Sequence, residues 1–252
     1  MKKTLGTLLL ILLMFSCDND TSSISSAIHN SHYIDDTTYG FTYVVNNQKV
    51  EIVSILDSKK DTLKELIIPS EINNYPVVSI ESNAFSSTKI ENIIFEDDSN
   101  LVTIGVNAFG DCSELSSLNL PRSVTEIGES AFYNCSKMES LSFQSNSHLK
   151  AIYSTAFYNN TSLGYINLPD QVKIIGDECF YNCESLVEFN ITSTINQIGY
   201  MAFSNAIHCT ISFDKLTEIP ETFADDWNYS QKLCDNGTNY VSYTLVQENK
   251  EV

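Results

Sequence analysis

A repeat with a period close to 23 residues limits the fold of this chain more than any other feature of the sequence. Ala-Phe or Cys-Phe recurs six times, and successive Phe residues lie 24, 23, 25, 23 and 23 positions apart. The six are Phe85, Phe109, Phe132, Phe157, Phe180 and Phe203, and an Ile lies five residues before each one. Fixed apolar positions at such a period predict a stack of similar coils, in which each coil covers the apolar side of its neighbour.

Each repeat also carries apolar residues in an L-x-x-L-x-L pattern after its Phe. In the second repeat these are Leu115, Leu118 and Leu120. The last two positions are two residues apart, which indicates an extended strand and not the face of a long helix. Equivalent strands of successive coils should pair in parallel about 4.8 Å apart, with their Phe side chains stacked in the interior. We therefore predict a β-rich, right-handed superhelix with parallel strands and short helical turns.

The first 17 residues are typical of a targeting segment. Lys2 and Lys3 precede an apolar run from Leu5 to Phe15 that is too short to span a membrane as a helix. The run ends at Ser16-Cys17 and resembles the lipobox of bacterial lipoproteins, which implies cleavage before Cys17 and lipidation of Cys17. The alternative is an ordinary secretory signal in which Cys17 has no special role.

The rest of the chain divides into four predicted segments. Residues 18–32, rich in Ser, Asn and Asp, form a flexible tether. Residues 33–78 form an N-terminal β cap and the entry to the first coil, with a hairpin turning at Asn46-Asn47. The repeats occupy 79–223. Residues 224–252, which include the only Trp, form a C-terminal cap.

The charge and the motif content exclude several classes of function. The formal net charge is −18, so the surface repels phosphate backbones and nucleic-acid binding is not expected. The sequence contains no P-loop, nucleophile elbow, H-E-x-x-H motif or dinucleotide-binding loop. The four His are scattered between the tether, a turn and the last repeat. We therefore expect no catalysis, no cofactor and no metal site, and contact with the membrane only through the lipid anchor.

Seven Cys are present, and three share one position of the repeat. Cys112, Cys135 and Cys183 each lie three residues after the Phe, and Asn160 takes that position in another coil. Three states are open for the Cys residues beyond Cys17: buried free thiols, some disulfide pairing, or metal ligation. They are Cys112, Cys135, Cys179, Cys183, Cys209 and Cys234.

The assembled repeat, Ile-Gly-x-x-Ala-Phe-x-x-Cys-x-x-Leu-x-x-Leu-x-Leu-Pro, resembles the BspA-type leucine-rich repeat family. The resemblance covers about residues 66–223 and departs from the pattern at Tyr153, where Gly is missing, and at Ala206, where Cys is missing. It implies a leucine-rich-repeat solenoid and an Asn/Cys position that bonds backbone groups of the turn. It also implies a bacterial surface protein, in some members an adhesin, with no catalytic residues.

The outward positions of the strands form the candidate binding face. They are Ser117, Asn119, Ser140, Ser142, Tyr165, Asn167, Glu188 and Asn190. Such a strip either binds a ligand, as sheet faces of repeat proteins often do, or is merely solvated. A second strip, formed by Tyr133, Tyr158 and Tyr181, either holds a partner or shields the turn beneath it.

Together these features predict a lipoprotein anchored in the bacterial outer membrane or at the cell surface. Its function would be non-catalytic, adhesin-like recognition of a protein or glycan partner. The alternative is a structural or accessory lipoprotein of the cell envelope without a host ligand.

Overall fold

The computed structural model describes residues 33–213, Thr222, Ala224 and the strand Ser242–Leu245. The predicted signal peptide 1–17 with Cys17, the tether 18–32 and most of the cap 224–252, including Cys234, lie outside the described residues. The predicted domain boundaries therefore stay predictions. No helix in the described part of the chain is long and apolar enough to cross a membrane.

Within the described residues, eighteen strands form two sheets. The first, of ten strands, contains β1 (Ile34–Asp36), β2 (Phe41–Asn46), β3 (Lys49–Ile55), β5 (Glu71–Ile72), β6 (Tyr75–Ile80), β8 (Thr103–Ile104), β10 (Glu126–Ile127), β12 (Ala151–Ile152), β14 (Ile174–Ile175) and β16 (Gln197–Ile198). The second, of eight strands, contains β4 (Glu65–Ile68), β7 (Asn92–Phe95), β9 (Ser117–Leu120), β11 (Ser140–Phe143), β13 (Tyr165–Ile166), β15 (Glu188–Ile191), β17 (Thr210–Phe213) and β18 (Ser242–Leu245).

Each coil contributes one short strand to each sheet. In one coil Ile127 ends β10, a turn carries Phe132 into the interior, and the chain continues into β11. Strands of successive coils pair in parallel, so that Ile127 lies beside Ile104 and Ile152, and Leu141 lies beside Leu118. This arrangement confirms the predicted parallel solenoid. The connections contain turns closed by backbone bonds three residues apart, and none of the described residues is helical, in contrast to the short helical turns that we expected.

The six Phe side chains form one column along the interior, as predicted. All six are fully buried. The centroids of neighbouring rings are 5.2, 5.3, 5.4, 5.5 and 5.4 Å apart, and the ring planes differ by at most 15°. Each ring is therefore covered by the rings of the adjacent coils, and no coil can bury its Phe alone.

The predicted N-terminal hairpin is confirmed and closes one end of the Phe column. Strands β2 and β3 pair antiparallel, and β3 pairs in parallel with β6 of the first coil. Phe41 of β2 is buried and meets Phe85 edge to face, with centroids 6.2 Å apart and planes at 84°. The hairpin thus supplies an aromatic partner for the first ring of the column.

Every Phe of the column lies between two residues with left-handed backbone conformation, a feature that we did not predict. The residues two positions before each Phe have φ between 49° and 62°, and those two positions after have φ between 56° and 61°. The first set is Asn83, Asn107, Ser130, Thr155, Glu178 and Met201, and the second is Ser87, Asp111, Asn134, Asn159, Asn182 and Asn205. Asn and Asp tolerate this conformation best after Gly, which explains their frequency in the second set.

Candidate binding surface

All eight residues of the predicted binding face are exposed on the outer surface of the eight-stranded sheet. The strand register places them in two straight rows that run from coil to coil. The first row contains Ser117, Ser140, Tyr165 and Glu188, which are direct neighbours across the strands. In the second row Asn119 lies beside Ser142, and Asn190 lies beside Ser212. The structure therefore brings the predicted residues together on one surface.

Hydrogen bonds between coils order the second row. The Ser142 hydroxyl donates to Asn119 Oδ1 at 3.1 Å, and the Ser212 hydroxyl donates to Asn190 Oδ1 at 3.1 Å. Asn167 lies just beyond the end of the two-residue strand β13. These short side chains form a low surface from which the ring of Tyr165, 61% exposed, protrudes. A partner that lies across the sheet would therefore meet Tyr165 first.

The rows continue into two coils that the sequence analysis left out of the face. Glu65 and Asn92 precede Ser117 in the first row, and Ile67 pairs with Ile94 in the second. Ile67 and Ile94 are 37% and 44% exposed. Burial alternates within β4 and β7, since Leu66 and Ile93 point inward and their neighbours point outward. The residue types give no such signal, because Ile67 and Ile94 are themselves apolar.

A polar cleft of about 360 Å³ opens beside Asn167, just beyond the ends of β11 and β13. Its lining includes the side-chain amides of Gln144, Asn146, Asn167 and Gln171 and the carboxylate of Asp170. The Gln144 amide oxygen also accepts a hydrogen bond from the backbone N–H of Arg122 at 3.1 Å. Amides both donate and accept hydrogen bonds, so the cleft can match a ligand rich in hydroxyl groups.

The three Tyr of the second strip stack face to face along the solenoid. The ring centroids of Tyr133 and Tyr158 are 5.1 Å apart, and those of Tyr158 and Tyr181 are 4.7 Å apart, with planes within 14°. Both faces of the Tyr158 ring are therefore covered by its neighbours. This geometry favours the interpretation that the Tyr strip shields the turn.

The shared Cys/Asn position bonds the backbone of the preceding coil, as the resemblance implied. The thiols of Cys112, Cys135 and Cys183 donate to the carbonyl oxygens of Phe85, Phe109 and Phe157 at 3.1, 3.2 and 3.3 Å. Asn160 takes the same role in its coil, and its amide donates to the carbonyl oxygen of Phe132 at 2.8 Å. The position therefore holds adjacent coils together from within the core.

The five described Cys are free and buried. Burial raises the pKa of the Cys135 and Cys179 thiols well above its usual value. It also raises the pKa of Cys209 to about 12, with a smaller contribution from the Glu188 charge. Because the thiolate is the reactive form and the usual metal ligand, such thiols are chemically inert. In the described part of the chain no three His, Cys, Asp or Glu side chains converge on a possible metal site.

Stacked parallel strands, a Phe column and the Cys/Asn position define a solenoid of leucine-rich repeats. Residues 78–210 and 150–242 match the family described as "BspA type Leucine rich repeat region", in six copies. The matched residues span more than half of the chain, which belongs to this family. No curated protein matches the sequence significantly.

Three solved bacterial structures share the fold. A leucine-rich repeat protein of T. pallidum is 24% identical with a TM-score of 0.50, and 70% of each chain is covered. A leucine-rich cell surface protein of Faecalibacterium prausnitzii is 22% identical with a TM-score of 0.57, covering 75% of this chain and 56% of that one. The pneumococcal vaccine antigen PcpA is 17% identical with a TM-score of 0.51, covering 73% and 65%. The match thus covers between 56% and 70% of these three proteins.

Proposed function

We propose that this protein is a non-catalytic recognition protein of the bacterial cell surface that binds a protein partner on the outer face of its eight-stranded sheet. The observation that carries the proposal is the exposed outer face of the sheet, whose first row is paired strand to strand from Glu65 to Glu188 across six coils. Solenoids present such extended surfaces because their side chains repeat at the spacing of the strands. The surface location is supported by the F. prausnitzii relative, which is described as a cell surface protein.

The distribution of apolar side chains on the face supports a protein as the partner. Ile67 and Ile94 form an exposed apolar pair near one end. Tyr165 and Val187 are 61% and 62% exposed in two neighbouring coils beyond Ser117 and Ser140, with Val187 directly before the face residue Glu188. Protein interfaces commonly combine such apolar and aromatic contacts with a polar surround. The small side chains between the two pairs allow close approach of a partner.

The second candidate partner is a glycan, favoured by the amide-lined cleft beside Asn167. The cleft contains four side-chain amides and one carboxylate, and Asn167 of the candidate face is among its lining residues. Glycan binding would depend on Gln144 and Gln171 more than on the Ile pair. The two candidates therefore predict different sensitive residues on the same sheet.

Binding by the face is tested with a pull-down from extracellular matrix and envelope extracts, using the full chain as bait. We expect the double variant Tyr165→Ala, Asn167→Ala to lose the captured partner. The matched control is Tyr200→Ala, Asn196→Ala, since both residues are exposed but adjoin the ten-stranded sheet. Equal capture by the wild type and the face variant would show that the partner binds elsewhere.

We propose that the protein is held at the surface by lipid on Cys17. Metabolic labelling with a palmitate analogue should label the wild type but not Cys17→Ser. Protease treatment of intact cells then separates the recognition role from an accessory role inside the envelope. Digestion of the repeats supports recognition of an external partner, and complete protection would leave the accessory role as the explanation.

A further inference from the structure

The glycine that follows each Ile in the family pattern packs against the backbone of the preceding coil. A Cβ built on Gly128 would lie 2.7 Å from the backbone of Gly105, and one built on Gly176 would lie 2.4 Å from the backbone N of Ser154. A side chain at this position is therefore directed at the coil before it. Gly105 and Gly128 hold this position in two successive coils, so neither coil has a side chain there.

Tyr153 interrupts this column of glycines. It occupies the glycine position of the fourth coil and is 39% exposed. Tyr153 lines a groove of about 420 Å³ together with Gly105 and Gly128. Tyr153 shares this groove with Glu126, Gly128 and Glu129 of the preceding coil. Burial and the Glu126 carboxylate raise the pKa of the Tyr153 hydroxyl.

The walls of the groove combine an aromatic ring with negative charge. Glu126 on β10 and Glu129 in the turn that follows both line it, together with the exposed side chain of Val106. In the described part of the chain neither Glu126 nor Glu129 forms an ion pair, since the three ion pairs there involve other carboxylates. Glu126 also accepts a hydrogen bond from the Tyr153 hydroxyl, but no cation of the described residues neutralises either carboxylate.

We propose that this groove binds an arginine side chain of a partner protein. A guanidinium group stacks on an aromatic ring and bonds carboxylates in its own plane, so it satisfies Tyr153 and the two glutamates together. The aliphatic part of the side chain would lie over the bare glycines and against Val106. This site lies on the ten-stranded sheet and does not depend on the binding face proposed above.

An NMR titration of the full chain tests the site with acetyl-Gly-Arg-Gly-amide, and acetyl-Gly-Glu-Gly-amide as the control ligand. We expect the amide signals of Gly105 and Gly128 to shift with the arginine peptide alone. Glu126→Gln combined with Glu129→Gln should weaken binding by at least about fivefold. The matched variant Asp97→Asn, Glu184→Gln removes the same charge from exposed positions elsewhere and should change the affinity less than about twofold.

Variants of Tyr153 test the aromatic wall. Tyr153→Gly restores the family residue and should abolish the shifts of Gly105 and Gly128, whereas Tyr153→Phe keeps the ring and should retain binding. If Tyr153→Gly does not fold, the double variant Glu126→Gln, Glu129→Gln provides the test of the site. Absence of glycine shifts in the wild type, or equal weakening by the matched charge variant, would overturn the proposal.

Discussion

The side-chain amide of Asn159 donates a hydrogen bond of 2.6 Å to Oδ1 of Asn134 in the preceding coil. Asn182 repeats this bond to Asn159 at 2.6 Å, and Asn134 donates to Asp111 at 2.8 Å. Each of these residues also has left-handed backbone conformation, two positions after the Phe of its coil. One residue type thus satisfies a backbone requirement and links the coils from outside the core.

Replacement of Asn159 should separate these two roles. Asn159→Ala loses both ladder bonds and places Ala in a left-handed conformation, which should lower the free energy of unfolding by about 2–3 kcal/mol. Asn159→Gly loses the bonds but not the conformation, and should cost about half as much. Urea unfolding measures both. Equal losses for Ala and Gly would mean that backbone conformation contributes nothing here.

Shortening Phe132 should destabilise several coils together. Its ring lies 5.3 Å from that of Phe109 and 5.4 Å from that of Phe157, so Phe132→Ala leaves a cavity and two uncovered rings. We expect a loss of about 3–5 kcal/mol, and less than about 1.5 kcal/mol for Phe132→Leu. Hydrogen exchange should show faster opening of the coils on both sides of Phe132. Opening restricted to one coil would contradict the stacked column.

Glycine should have opposite effects at two glutamates. Glu178 has φ of 51°, so Glu178→Gly removes backbone strain and should raise stability by about 0.5–1 kcal/mol. Glu184 is exposed in the next turn with ordinary backbone conformation, and Glu184→Gly should lower stability by up to about 1 kcal/mol. Thermal unfolding of the two variants provides the comparison. The same sign for both would refute the assignment of strain to Glu178.

The buried thiols predict a loss of stability at alkaline pH. The folded protein raises the pKa of Cys209 from 9.0 to about 12, whereas the unfolded chain releases the proton near its ordinary value. The contribution of Cys209 is therefore complete below about pH 9 and is lost as the pH rises towards 12. Each such thiol gives a slope of up to about 1.4 kcal/mol per pH unit.

Unfolding by urea at pH 8, 9 and 10 measures this slope. Cys209→Ser does not titrate in this range and should show a shallower decline than the wild type. Identical pH dependence of the two proteins would show that the Cys209 thiol is ionised as readily in the folded state as in the unfolded chain.

The Phe column, the parallel pairing and the Cys/Asn position could be predicted because each recurs with one residue character at a fixed spacing. The left-handed position before each Phe could not, because Asn, Ser, Thr, Glu and Met all occupy it and only backbone geometry unites them. The ten-stranded sheet was also missed, since most of its repeat strands have two residues and show no alternation.

The outward orientation of the residues could be predicted from the sequence in the central coils of the candidate face, but not for Ile67 and Ile94 at its edge. Ser117 and Asn119 are recognised as outward because polar residues alternate with Leu118 and Leu120. Ile67 and Ile94 point outward as well, but their apolar character hides the alternation of β4 and β7. Pairing with neighbouring strands, and not residue type, determines their orientation.

The thiol bonds and the amide ladder share a direction, since every donor reaches back to the coil that precedes it. Removing one whole coil would let the following donors meet equivalent acceptors. Removing a residue between a Phe and the Asn or Cys donor that follows it, a spacing that is the same in each of these coils, would displace the donor of that coil. The contacts between coils therefore do not fix how many coils the solenoid contains. Related chains can gain or lose binding surface by duplication or deletion in steps of about 23 residues while the junctions between coils stay the same.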